Sequence, residues 1–235
     1  MGPLQNDSST AGATSLRVID LTRVLDEKSV LWPGTPPLRV ESSESIDADG
    51  SFTRRVSLDE HSGTHFDAPS HFVSGAAHVA DVAAETLVRP LRVIDFTAKC
   101  AGQPDATLSV ADMLTHEAVH GVIADGSAVF LRTDWVGDGD TLRFPGFGVD
   151  AATFLAVERG VAGLGIDTLG IDAGYAVDFP VHREVTLPRG IWHLENLTNL
   201  AAVPSAGAWV AVGVPRIAGA SGFPARVFAL LGESD

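Results

Sequence analysis

Residues 61–72, HSGTHFDAPSHF, contain three histidines and one aspartate within eleven positions of a chain that has only 8 His in 235 residues. Imidazole nitrogens and carboxylate oxygens are common ligands of zinc, manganese and iron. The four residues share parity, so an extended backbone would direct them to one side, and a helix fits less well because a proline interrupts the segment. We therefore predict the end of a strand running into a tight loop in which the polar groups converge. The four converging residues are His61, His65, Asp67 and His71.

The residues before this segment alternate between apolar and polar. Within residues 51–61, Phe52, Val56 and Leu58 fall on one side, and mostly polar residues, ending with His61, fall on the other. This period is typical of a half-buried strand. The pattern predicts a strand that carries His61 on its polar face.

Composition and charge exclude several classes of function. The net charge of −14 disfavours binding to nucleic acid or to an anionic membrane surface. No apolar run approaches the roughly 18 residues that a spanning helix needs. The first fourteen residues are small and polar and lack the features of a signal peptide, so we expect a disordered tail over residues 1–14 and a cytoplasmic protein. The single cysteine, Cys100, excludes an internal disulfide and a cysteine-rich zinc site.

Apolar runs and capping residues outline the secondary structure. Ser109 is a plausible N-cap for an amphipathic helix over residues 108–119, and residues 150–160 predict a second helix that starts at Asp150 and stops at Gly160. An alanine-rich stretch within residues 75–90 predicts a third helix, ending near Pro90. Strand-like apolar runs occupy residues 16–22, 91–97, 128–135 and 163–172, with two more near the C-terminus.

Two further groups of polar residues are ambiguous. His116 and His120 have the i,i+4 spacing of a metal-binding pair, but a solvated position near a helix end explains them better. Asp167 and Asp172 lie at the end of a predicted strand, where functional groups often cluster, although turn formation explains them equally well.

The second candidate site segment is residues 182–200. Glu195 lies in an apolar run, and a buried carboxylate needs a partner or a metal; His182 lies thirteen residues before it. His193 shares its side of a predicted strand with Glu195, and we interpret it as structural. Far upstream, Trp32 begins a rigid proline-rich turn and is either a hydrophobic plug or a wall for an aromatic ligand.

These motifs together resemble the cyclase-like metal hydrolases, the family that includes bacterial kynurenine formamidase and isatin hydrolase. The resemblance covers nearly the whole chain, and the HxGTHxDxPxH pattern of residues 61–71 is its most specific part. The other matching motifs are IDLT at residues 19–22, the Trp-Pro-Gly turn at 32–34, LRTDW at 131–135, GIDTLGID at 165–172, FPVHR at 179–183, ENLTNL at 195–200 and FPARVFAL at 223–230.

The resemblance implies the fold and the metal ligands. It implies an α/β fold, a single mixed α/β domain over residues 15–235 with a β-barrel-like core flanked by helices, assembled as a homodimer or homotetramer. It also implies a divalent cofactor, zinc or manganese, with one or two ions. The implied ligands are His61, His65 and Asp67 at one position, and His182 and Glu195 at a second position to which Asp67 can bridge.

The resemblance also implies hydrolysis of the C–N bond of a small, aromatic amide such as an N-formyl arylamine or a lactam. His71 would move the proton, which suits an imidazole pKa near 6.5. Trp32 with Phe66 or Phe72 would form a wall that binds the substrate ring. Formamidases tend to have Asp at the position of Thr35, so the resemblance does not determine the identity of the substrate. The alternatives are a lactonase or cyclase acting on a polyketide-like substrate, and a non-catalytic metal-binding protein.

Overall fold

The structure is a computed structural model that describes residues 16–137 and 142–232, so the predicted disordered tail lies outside the described residues. The strands are β1 (Leu16–Asp20), β2 (Arg39–Glu44), β3 (Thr53–Ser57), β4 (His65–Asp67), β5 (Val88–Asp95), β6 (Thr107–Leu108), β7 (Ala128–Arg132), β8 (Gly146–Phe147), β9 (Gly163–Ile166), β10 (Trp192–Glu195), β11 (Ala208–Gly213), β12 (Gly222–Pro224) and β13 (Arg226–Gly232). The α-helices are α1 (Ile46–Asp49), α2 (Thr97–Cys100), α3 (Val110–His120) and α4 (Val149–Glu158).

Nine of the strands form one mixed sheet in the order β1-β13-β11-β5-β7-β9-β10-β4-β12. The central strands β5, β7, β9 and β10 are parallel, and antiparallel strands flank them on both sides. The sheet curls into a half-barrel: the N–H of Leu21 donates to Val227 in β13, and its carbonyl accepts from Thr198, just after β10. This architecture confirms the predicted α/β domain with a barrel-like core.

Two apolar clusters cover the two faces of the sheet. Neighbouring residues of β7 show this directly, because Phe130 belongs to one cluster and Leu131 to the other, and both are fully buried. The helices α3 and α4 contribute Met113 and Leu155 to the second cluster. A central strand that is covered on both faces reads as a continuous apolar run, as residues 128–131 do.

The predicted helices α3 and α4 are present. The Ser109 hydroxyl accepts from the backbone N–H of Asp112, whose carboxylate accepts from the N–H of Ser109, so Ser109 caps α3 as expected. For α4 the N-cap is Gly148 and not Asp150. Gly160 follows the helix with φ +59°, in agreement with its predicted role as a stop.

Two elements predicted from the sequence are wrong. The alternating residues 51–61 contain β3, but β3 pairs with β2 in a separate ribbon that is exposed on both faces; Phe52 is 63% and Val56 50% exposed. Alternation gives the period of a strand, but it does not show whether anything packs on it. His61 lies beyond β3, in a loop.

The alanine-rich stretch does not form an α-helix. It contains two 3₁₀ turns, Val79–Asp81 and Ala84–Leu87, and the chain then enters β5 at Val88. This strand continues through Pro90 to Asp95, because β11 pairs with its first half and β7 with its second. Tertiary pairing therefore overrides the local helix propensity. Within the described ranges, no helix has the length and apolarity to cross a membrane.

Candidate active site

The histidine-rich segment contains a short strand between two irregular pieces. The loop with His61 comes first, the three residues of β4 follow, and a 3₁₀ turn from Pro69 carries His71. The segment is thus extended only at its centre and does not continue from an upstream strand as predicted. Because β4 pairs with β10, Glu195 lies opposite His65, and His193 lies opposite Asp67.

Asp67 is the centre of a buried cluster of polar side chains. Its Oδ1 lies 2.7 Å from His61 Nδ1 and 3.3 Å from His65 Nε2, and its Oδ2 lies 3.6 Å from His182 Nε2. Burial by itself raises the pKa of Asp67, but the neighbouring histidines hold that pKa well below its usual range. Oδ2 is buried and has no hydrogen-bond partner.

The second segment joins this cluster through His182. A π-helical turn, Val181–Thr186, begins with two N–H groups that both donate to the carboxylate of Asp172. That carboxylate also lies 2.6 Å from His182 Nδ1, so the ring presents Nε2 to Glu195 Oε1 at 3.1 Å. Burial alone lowers the pKa of His182, but Asp172 and the other carboxylates raise it well above its usual value. Asp172 therefore orients His182.

Asp167, the other candidate aspartate, has a local role. Its buried carboxylate accepts from the backbone N–H and the hydroxyl of Thr133 and from the N–H of Asp134. Burial raises the pKa of Asp167. These hydrogen bonds fit the turn-forming explanation for Asp167, and the contact with His182 fits the functional explanation for Asp172.

His193 lies in the same cluster, although the sequence interpretation gave it only a structural role. Its ring is fully buried and nearly perpendicular to that of His182, with centroids 4.5 Å apart. Its Nδ1 lies 3.8 Å from Asp67 Oδ2. The shared parity of His193 and Glu195 on one strand was the sequence signal that could have revealed this.

The donor atoms fit a divalent metal. They form two groups, His61, His65 and Asp67 on one side and Asp67, His182, His193 and Glu195 on the other, each with its atoms within 4.8 Å of one another. All five ligands implied by the resemblance are in these groups. A buried carboxylate oxygen without a donor, as at Asp67, is costly unless a cation neutralises it.

His71 lies beside the donor cluster. Its ring stacks on that of His61, with centroids 3.7 Å apart and planes 23° apart. Burial lowers the pKa of His71 to about 4, and the neighbouring histidines act in the same direction. The pKa is therefore not the ordinary imidazole value expected from the sequence, and the His71 imidazole is neutral at pH 7.

A cavity of about 290 Å³ opens over the cluster and has an aromatic wall. Trp32 and Phe72 line it, and so does Phe179, whose ring centroid lies 5.4 Å from each of theirs. The sequence interpretation missed Phe179, although it stands three residues before His182 in a motif of the resemblance. Thr35 also lines the cavity.

The assignment of Phe66 to the substrate wall is wrong. Phe66 is 0% exposed and packs against Trp192 in the core, with ring centroids 5.8 Å apart. On β4 it lies between His65 and Asp67, so its side chain points to the face opposite theirs.

Comparison with known proteins shows the family of the chain. The Cyclase family model, described as "Putative cyclase", matches residues 19–173. The chain belongs to this family. An isatin hydrolase of Roseibium aggregatum is 31% identical and the match covers 92% of each chain. A kynurenine formamidase of Bacillus cereus is 28% identical over 76% of this chain and 81% of its own.

The fold is likewise similar to that of a solved member of the family. The structure of isatin hydrolase A from Labrenzia aggregata, bound to benzyl benzoate, superposes with a TM-score of 0.86 at 32% identity. The superposition covers 93% of this chain and 94% of that one. The fold is therefore shared along nearly the full length of both proteins.

Proposed function

We propose that the protein is a metal-dependent hydrolase that cleaves the C–N bond of a small aromatic amide. The observation that carries this proposal is a buried cluster of imidazole and carboxylate donors at the base of an aromatic cavity. A bound divalent ion supplies Lewis acidity, which polarises a carbonyl and lowers the pKa of water. The similar isatin hydrolase and kynurenine formamidases support amide hydrolysis as the reaction.

Each predicted site residue except Phe66 has a role in this proposal. The metal ligands are His61, His65, Asp67, His182 and Glu195, and the ion is zinc or manganese, since both accept imidazole and carboxylate donors. His71, neutral at pH 7, takes a proton from the attacking water and returns it to the leaving nitrogen. The ring of the substrate lies against Trp32 and Phe72.

The proposed substrates are a lactam such as isatin or an N-formyl arylamine such as N-formylkynurenine. The higher identity and coverage of the isatin hydrolase favour the lactam. Thr35 stands where formamidases tend to have Asp, so the cavity departs from the formamidase pattern at this position. The second candidate function is ring closure or lactone hydrolysis, which the family name supports.

The test combines metal analysis with turnover of isatin and N-formylkynurenine. Replacing His71 by Ala should lower kcat by about 10²–10⁴-fold, the usual contribution of a general acid or base, without changing the metal content. His120→Ala, on the exposed end of α3, is the control. Full activity of the His71 variant would remove His71 from the mechanism. A metal-loaded protein with no turnover of any amide or lactone would support the non-catalytic alternative.

Two further properties belong to this proposal. We expect a cytoplasmic protein, and we expect it to assemble as a homodimer or a homotetramer. Sedimentation of the purified protein measures the assembly, and fractionation of the source cells measures the location.

A further inference from the structure

A hydrogen bond on the far side of its ring determines the tautomer of His193. Its Nε2 lies 2.7 Å from the hydroxyl of Thr186, and that hydroxyl donates its own proton to the carbonyl of Val181 at 2.9 Å. A hydroxyl has one proton to donate, so here it accepts from the imidazole. Nε2 therefore carries the hydrogen, and Nδ1 presents a lone pair.

That lone pair faces a second one. His193 Nδ1 and Asp67 Oδ2 are 3.8 Å apart, both are buried, and neither has a hydrogen-bond partner. Two buried acceptors directed at each other cost free energy unless a positive group lies between them. Among the described residues, no lysine or arginine is paired with either group. His182 Nε2 lies 3.6 Å from Asp67 Oδ2 but only 3.1 Å from Glu195 Oε1, so a metal ion bound by all of these atoms fits the cluster.

The neighbouring residues complete a set of four donors. His182 Nε2 lies 3.1 Å from Glu195 Oε1 and 3.6 Å from Asp67 Oδ2, and Asp67, His182, His193 and Glu195 each offer one donor atom, all within 4.8 Å of one another. Metal–ligand bonds of about 2.1 Å in a tetrahedron separate the ligand atoms by about 3.4 Å. Small adjustments of the side chains would therefore bring all four donors onto one ion.

We propose that His193 is a fourth protein ligand of the ion bound by Asp67, His182 and Glu195. This inference rests on the proposed function, since it concerns the same metal centre. Four protein ligands close a coordination shell, which is typical of a structural site, whereas catalytic sites keep a position open. The group of His61, His65 and Asp67 supplies only three donors. The two positions therefore differ in their number of protein ligands, and the position with three ligands keeps a place for a water molecule or for substrate.

Metal titration of the apoprotein tests this assignment. We expect the wild type to bind two zinc ions per chain, as measured by mass spectrometry of the dialysed protein. In His193→Ala one of them should bind more than about 100-fold more weakly, a larger loss than removal of an outer-shell partner causes. His116→Ala, which removes an imidazole from α3, should keep both ions. Unchanged stoichiometry and affinity in a folded His193→Ala would overturn the assignment.

His193→Ala leaves a cavity in a buried position and can therefore fail to fold. A second variant covers that case. Thr186→Val keeps the shape of the side chain but removes the acceptor that orients His193. It should weaken binding of the same ion by about 10–100-fold. Cobalt in the closed position should give the intense visible bands of a four-coordinate ion. Weak six-coordinate bands in the wild type, or full affinity in Thr186→Val, would overturn the proposal.

These measurements separate this inference from the proposed function, because none of them depends on turnover. A protein that needs His193 to bind its second ion but hydrolyses no amide would contradict only the proposed function. An active hydrolase that binds both ions without His193 would contradict only the present inference.

Discussion

Two pairs of histidines have the same i,i+4 spacing, but only one pair lies in a site. The rings of His61 and His65 have centroids 5.2 Å apart, and those of His116 and His120 on α3 are 4.7 Å apart. Spacing and ring proximity therefore do not distinguish them. The difference lies in the carboxylate beside each pair.

Glu117, next to His116, already has donors for both of its oxygens. Arg159 donates to them at 2.7 and 2.8 Å, and the backbone N–H of Ile123 donates at 2.9 Å. Asp67, in contrast, has one buried oxygen without any donor. A carboxylate that is satisfied by the protein stabilises the fold, and one that is left unsatisfied is available to a metal.

The largest effect should come from Asp67→Asn, because Asp67 belongs to both groups of donors. A neutral amide cannot bridge two cations as a carboxylate does, so we expect loss of bound metal and of activity beyond the 10²–10⁴-fold effect expected at His71. Metal content and kcat/KM measure this. Retention of both would show that Asp67 is not the centre of the site.

The second-largest effect should come from Asp172→Asn, which disturbs the orientation of His182 but removes no donor atom of the proposed metal ligands. Loss of an outer-shell carboxylate usually costs about 10–100-fold in metal affinity or activity, and we expect a loss in this range. Asp167→Asn is the matched control, as a second buried aspartate with three donors. Equal losses of metal affinity in the two variants would contradict a specific role for Asp172.

A smaller and purely structural effect should come from Glu117→Gln. The variant keeps the shape of the side chain but replaces charge-assisted hydrogen bonds with Arg159 by neutral ones. We expect a decrease of about 1–2 kcal/mol in the free energy of unfolding, measured in urea, with unchanged metal content. A loss of metal in this variant would break the distinction between the two histidine pairs.

The smallest effect should be a change in the pH dependence of stability in His116→Gln. Burial lowers the pKa of His116 to about 4 in the folded protein, against 6.5 in the unfolded chain. Between these values the unfolded chain binds more protons, so wild-type stability should fall as the pH decreases from 6.5 to 4. The variant should lose less stability over this range. Identical urea midpoints of the two proteins at every pH would exclude this contribution.

The sequence by itself determined the chemistry of the site. The parity and residue types of residues 61–71 predicted converging polar groups, and the family resemblance carried by these motifs implied five donors that the structure brings into one cluster. The sequence also determined the local elements with strong signals. The capped helix α3 and the strand β7, covered on both faces, are examples, because capping and continuous apolar runs act over a few residues.

Only the tertiary structure decided which face of each element is buried and which side chains of other elements contact it. The alternation before His61 is a true strand signal, but the strand it predicts belongs to a ribbon that is almost entirely exposed. Phe66 and Phe72 looked equivalent until the pairing of β4 directed Phe66 into the core and left Phe72 on the cavity. Burial moved the pKa of His71 far from its ordinary value. His193 meets Asp67 because β4 and β10, separated by more than a hundred residues, are neighbours in the sheet. Local sequence encodes the period and chemistry of an element, whereas strand order and burial depend on the whole chain.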